Sequence, residues 1–133
     1  MSIDNLGYTK TLEDIASLEE AQEKVQAALK ENGFGVISEI DLQATMKEKL
    51  GKDVKPYKIL GACNPKMAHK ALSMDQYLGL MLPCNVIVFE NDDQTFTVSF
   101  AKPKEMFKLV DKSEMAAVSE EVDAMIRAAF ELL

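Results

Sequence analysis

The sequence predicts an α+β fold: a single domain over residues 1–133, built on a mostly antiparallel sheet with helices packed on one face. Three observations predict it. Amphipathic helical stretches and short β-branched runs mix without the strict alternation that a parallel, doubly wound sheet requires. Two strand-like runs, CNVIVFE and TFTVSFA, are separated only by NDDQ, which is the pattern of an antiparallel hairpin. No repeat, linker or low-complexity stretch divides the 133 residues, a length that one hydrophobic core can serve.

The elements follow in the order β-α-β-α-β-α-β-β-α. YTKTL, residues 8–12, is a short first strand. A helix runs from Leu18 to Asn32, with Ser17 and Glu20 as a capping box and Gly33 suited to the position just past the end. Ile15, Leu18, Ala21, Val25, Ala28 and Leu29 fall near one apolar face. FGVISEI, residues 34–40, alternates and is β-branched, so it is expected to be a strand. Asp41 caps a second helix over 42–50, which Gly51 ends. YKILGAC, residues 57–63, is the next strand, and Asn64-Pro65 is a helix start, asparagine as cap and proline at the first helical position. That helix is expected to cover 65–73. In the hairpin that follows, Phe96, Val98 and Phe100 share one face and Thr95, Thr97 and Ser99 the other. Met115, Val118, Val122, Met125, Ile126 and Ala129 give a long amphipathic C-terminal helix.

The chain carries a net charge of −7, which argues against nucleic acid as a partner, since phosphate binding needs a basic face. The lysines are scattered, and acids interrupt the densest cluster, Lys47 to Lys58. The longest apolar stretch, Tyr77 to Phe89, carries Pro83 and Asn85 and is shorter than the roughly 20 residues a membrane span needs. The N-terminus lacks the basic start and apolar run of a signal peptide. A cytoplasmic protein with free thiols and no membrane partner is therefore expected.

All the thiol and imidazole chemistry of the chain is concentrated in residues 63–84. Cys63 stands one residue before the cap of a helix, where the dipole favours a thiolate, a nucleophile and metal ligand. It reads equally as a small buried residue closing a strand. Cys84 opens a strand after Pro83, and packing is the stronger reading for it. His69, the single histidine, falls one turn into the short helix, as an acid-base group or ligand, or simply facing water. Cys63, His69 and Cys84 could form a three-ligand soft site for copper(I) or zinc, although Cys-x5-His-x14-Cys is not the paired spacing of structural zinc. A cysteine hydrolase would use Cys63 as nucleophile and His69 as base, with Asn64 or Asn85 as orienting group. The chain has no phosphate loop, dinucleotide fingerprint, Gly-x-Ser-x-Gly elbow or zinc-deaminase pair. The run Asn91-Asp92-Asp93 lacks the later ligands of a calcium loop.

GFGVISEIDL, YKILGACNPKMAHKAL and LGLMLPCNVIVFE together resemble the bacterial and archaeal family called domain of unknown function 302. The resemblance extends from the first helix to the last, with Gly61, Ala62, Cys63, Asn64, Pro65, Ala68 and His69 in one block and Leu82, Pro83, Cys84 and Asn85 in another. It implies a compact α+β domain that usually stands alone and forms a homodimer. It supplies no activity, substrate or cofactor.

Three functional readings stay open. The first is a binding or carrier module for a small ligand, a soft metal or a sulfane sulfur, using Cys63, Asn64, His69, Cys84 and Asn85. The second is a structural or interaction domain whose motif packs the fold or a dimer interface. The third is an enzyme with Cys63 as its nucleophile.

Overall fold

The computed structural model describes residues 3–110 and 112–133. Five antiparallel strands form one sheet in the order β1-β5-β4-β3-β2, where β1 is Gly7–Leu12, β2 Gly35–Asp41, β3 Tyr57–Cys63, β4 Cys84–Glu90 and β5 Phe96–Ala101. Helices α1 (Leu18–Lys30), α2 (Leu42–Leu50), α3 (Pro65–Met74), α4 (Pro103–Met106) and α5 (Met115–Glu131) complete the chain, with short 3-10 turns at Ile3–Leu6, Gln76–Met81 and Phe107–Leu109. The predicted order and fold class hold, and α4 and the 3-10 turns are additions too short to show a helical period. Among the described residues no helix is long and apolar enough to cross a membrane.

The core follows from alternation on the two central strands. Val86 pairs with Phe100 and Val88 with Val98, and all four point to the same face and are fully buried. Leu60 and Ala62 of β3 extend that face, and Val25, Leu29, Val118 and Ile126 of α1 and α5 close over it. Burying each such side chain contributes about 1.5–3 kcal/mol relative to leaving it in water. The hairpin is as expected: Phe96, Val98 and Phe100 are buried, and Asn91 N–H donates to the Thr95 carbonyl at 2.8 Å to close the turn.

The caps are the predicted ones. Ser17 accepts from Glu20 N–H at 3.2 Å, while the Glu20 carboxylate accepts from Ala16 N–H rather than from the cap residue itself. Asp41 accepts from Ala44 N–H at 3.0 Å, and Gly51 ends α2 in the left-handed region, φ 66°. The α1 helix stops at Lys30, two residues before the expected end, and a turn leads to Gly33 at φ 80°. Strand β2 departs from simple alternation. A bulge between Val36 and Ser38 leaves Ile37 65% exposed and swings Glu39 to the helix side, where it meets Gln22 and Lys58.

Helices α1 and α5 lie on the core face, and the strand register sets which residues occupy the opposite one. The register puts Thr9, Thr97 and Ser99 there on one half, and Ile40, Tyr57, Ile59, Ile87 and Phe89 on the other. Tyr57 and Phe89 are paired across β3 and β4 and stack with centroids 5.2 Å apart. Gly61 lies on this face beneath Ser38 and Pro83: a Cβ there would approach Ser38 Oγ to 2.2 Å and Pro83 Cγ to 2.6 Å. Serine can rotate away, but the proline ring cannot. Gly61→Ala is therefore expected to cost about 1–3 kcal/mol, the range of overpacked sites. Urea denaturation checks this, and Ser38→Ala should recover only part of the loss.

Candidate functional site

The two cysteines come together because β3 and β4 are neighbours. Cys84 opens β4 opposite Ala62, and Cys63 is the next residue of β3, itself paired with Gly35 of β2. Directly after Cys63, Asn64 leaves the sheet and caps α3, with its side-chain oxygen accepting from Met67 N–H at 3.3 Å. Asn64 is buried, and its amide reaches Met125 Sδ at 3.9 Å and lies against Gly33. It thus fastens α3 to the end of α1 and the middle of α5. The capping role read from Asn64-Pro65 is the role the side chain plays.

Both thiols are free, half-buried and line a small cavity of about 30 Å³. Its other walls include Phe34, Met67, Leu82, Phe107, Val118 and Val122. That volume is about the share of one water molecule, so the inner cavity by itself holds no cofactor. A second cavity, about 280 Å³, opens on the other side of Leu82, Pro83, Cys84 and Phe107, which belong to both. Leu80, Met81, Asn85, Ala101, Pro103 and Met106 complete it. Leu80, on the 3-10 turn Gln76–Met81, is 87% exposed at its rim.

Burial pushes the Cys84 thiol up from its ordinary 9 to about 11, and the neighbouring Cys63 thiol adds to the rise. A thiolate in this apolar wall would lose its hydration with no cation in compensation. Cys84 is therefore a neutral thiol at physiological pH. It acts there as a small apolar side chain with a weak S–H donor.

His69 is placed elsewhere. It is exposed on α3 and lines neither cavity; its backbone carbonyl accepts from Ser73 Oγ at 2.8 Å. Met67 and Ala71 point inward on that helix, and residue 69 falls on the opposite side. Among the described residues no group of three His, Cys, Asp or Glu side chains is placed to hold a metal. The set Cys63, His69 and Cys84 is thus not gathered into one ligand sphere, and the Cys63–His69 pair is not gathered around one cavity. Asn85 is exposed, opposite Gly61, and contributes to the rim of the wider cavity.

Two features escaped the sequence. The pocket walls Met106 and Phe107 come from the stretch after β5, where no period marks an element. Asp123 is 5% exposed, and its carboxyl accepts from the Tyr8 hydroxyl at 2.6 Å and from Lys104 N–H at 3.3 Å. It ties α5 to β1 and to the start of α4, and an acid set beside the core positions Val122 and Ile126 is the signal that could have found it. Tyr8, with Lys102 and Arg127 over its ring, has its pKa raised by burial and by the Asp123 carboxylate. A broader depression of about 580 Å³ lies between α1 and Leu132–Leu133, walled partly by Glu13, Asp14, Glu20 and Glu31. Neither thiol lines it, and its open, solvated walls hold no convergent chemistry.

The family model described as "Domain of unknown function DUF302" matches residues 8–133, nearly the whole chain. The chain belongs to this family. The fold of the DUF302 chain is also that of a solved structure, the crystal structure of an uncharacterized conserved DUF302 protein from Bacillus stearothermophilus. The two are 24% identical, with a TM-score of 0.85 over 96% of this chain and 97% of the other. None of the curated proteins matches the chain.

The raised thiol pKa has a measurable consequence. In a Cys63→Ser variant, which removes the smaller Cys63 contribution and leaves the burial, alkylation of Cys84 should still rise with a midpoint well above the ordinary 9. Because the folded state holds this proton above the pH at which the unfolded chain releases it, folding stability is full below pH 9. It then falls by up to about 1.4 kcal/mol per pH unit on the way to 11. Cys84→Ala should flatten that alkaline limb in thermal melts. An alkylation midpoint near 8.5 would contradict the burial of Cys84.

Proposed function

We propose that this DUF302 domain is a binding module for a small, largely apolar ligand, held in the cavity beside Cys84. The observation that carries the reading is the junction at Leu82, Pro83 and Cys84, where a small pocket meets a wider one of about 280 Å³. That volume is close to the lower end, about 300 Å³, of small-molecule sites. Such sites are mostly apolar with a few convergent polar groups. Leu80, Met81, Met106 and Phe107 supply the apolar walls, the Asn85 amide and the Cys84 S–H the polar ones. Two methionines lend the walls adaptability, since an unbranched thioether repacks at small cost.

The neutral Cys84 weighs against a nucleophile or persulfide carrier at that position, because both chemistries begin with a thiolate. In this reading Cys84 contacts the ligand and does not react with it, and Asn64 holds the pocket wall as the buried cap of α3.

Indole and benzyl alcohol are suitable probes. Titrated into ¹⁵N-labelled protein, either should give saturable shifts at Cys84, Asn85, Met106 and Phe107. Saturating probe should also slow alkylation of Cys84 in the Cys63→Ser variant at least threefold at pH 9.5. Unchanged alkylation, with shifts absent or scattered outside these residues, would overturn the reading.

A further inference from the structure

The small cavity beside the two cysteines is bordered by more sulfur than the thiols supply. Cys63, Met67 and Cys84 all line it, so three sulfur-bearing residues meet one space of about 30 Å³. Among the described residues no carboxylate, imidazole or ammonium group is part of its walls, and the Asn64 oxygen there is committed to the cap of α3. Separate local devices set the sulfur residues in place. Cys84 opens β4 opposite Ala62, Cys63 follows Ala62 directly, and the Asn64 cap bonds the Met67 N–H at 3.3 Å. Met67 is buried on the inner side of α3, whereas His69 on the same helix lines neither cavity. Cys63 also stands near enough to Cys84 to act on its ionisation.

We infer that this cavity is a copper(I) site, with Cys63, Cys84 and Met67 as its ligands. A space of one water's volume is too small for an organic group and sufficient for a single ion. Thiolate and thioether sulfur are soft donors that select copper(I). Calcium and magnesium need oxygen ligands, which these walls do not offer. Structural zinc takes four ligands drawn from thiolate, imidazole and carboxylate, and a thioether is not among them. Met67 thus stands in the place expected for His69.

Binding is an exchange of ions. Two Cu–S bonds form as the S–H bonds of Cys63 and Cys84 break and their protons leave to solvent. A lone pair of the Met67 thioether makes the third bond with no proton lost. Copper enters and stays as copper(I), so no electron moves. One positive charge enters and two leave. The net negative charge lies at the N-terminus of α3, where the helix dipole and Lys66 of the first turn favour it. The ion is itself the cation that the apolar wall otherwise lacks, and a coordinated thiol is deprotonated outright. The wider cavity proposed for an apolar ligand lies on the other side of Cys84, so the two readings are tested separately.

Anaerobic titration of the full chain with copper(I), in competition with bicinchoninate, tests the inference. One ion per chain is expected, with a thiolate-to-copper band in the near ultraviolet. Met67→Leu, similar in volume, should weaken binding about tenfold, and Cys63→Ser and Cys84→Ser each by roughly a hundredfold or more. His69→Ala should leave the affinity unchanged. Circular dichroism checks that each variant is folded. X-ray absorption at the copper edge of the unaltered protein needs no variant and should show sulfur neighbours alone. Binding that ignores Met67→Leu would reduce the site to two thiols acting by themselves and overturn the inference. A loss of affinity in His69→Ala, nitrogen or oxygen neighbours at the ion, or zinc held more tightly than copper(I) overturns it as well.

Discussion

Everything in this molecule depends on one constraint: the sheet buries a single face. Val86, Val88, Val98 and Phe100 lie in register on the two central strands and are removed from water by α1 and α5. Every other placement follows from which side of that plane a residue falls. Because the strand period is two, a slip of one residue would exchange the two faces. The hairpin closed by Asn91 and Gln94 holds that register, and β1 and β3 inherit it by pairing on either side.

The site grows out of the same constraint. Ala62 and Cys84 are paired at the end of the β3–β4 ladder, where the chain leaves the sheet for α3. At such an end the strands no longer fill the space beneath the helices, and small cavities remain. Cys84 occupies that position as a thiol kept neutral by its apolar walls, and Asn64 as a buried polar group that satisfies a helix terminus. The block that carries the family resemblance is therefore first a structural joint.

Charge is partitioned as strictly as hydrophobicity. Glu39, Lys58 and Gln22 form a bonded group on the helix side, and Asp123 anchors Tyr8. Asp75, whose pKa is lowered by Lys112, holds the 3-10 turn at the cavity rim against the segment leading into α5. Ionic groups thus tie elements together at the edges of the core, and the free sheet face is left without them.

The sequence by itself determined the fold class, the order of elements and the caps at Ser17, Asp41 and Asn64. These rest on local physics: side-chain period, turn chemistry and the orphan amides of helix starts, all acting within a few residues. Cys63 and Cys84 line one cavity and Asn64 caps α3, the cap being legible locally in Asn64-Pro65 and the cavity following from the β3–β4 pairing. Only the tertiary structure decided that His69 stands apart, because the direction a histidine faces on a ten-residue helix is open until the helix packs on Met67 and Ala71. The cavity walls at Met106 and Phe107, the bulge at Ile37 and the buried Asp123 belong to the same class. Each is set by what another part of the chain places against it, and contacts between distant segments leave no period in the sequence.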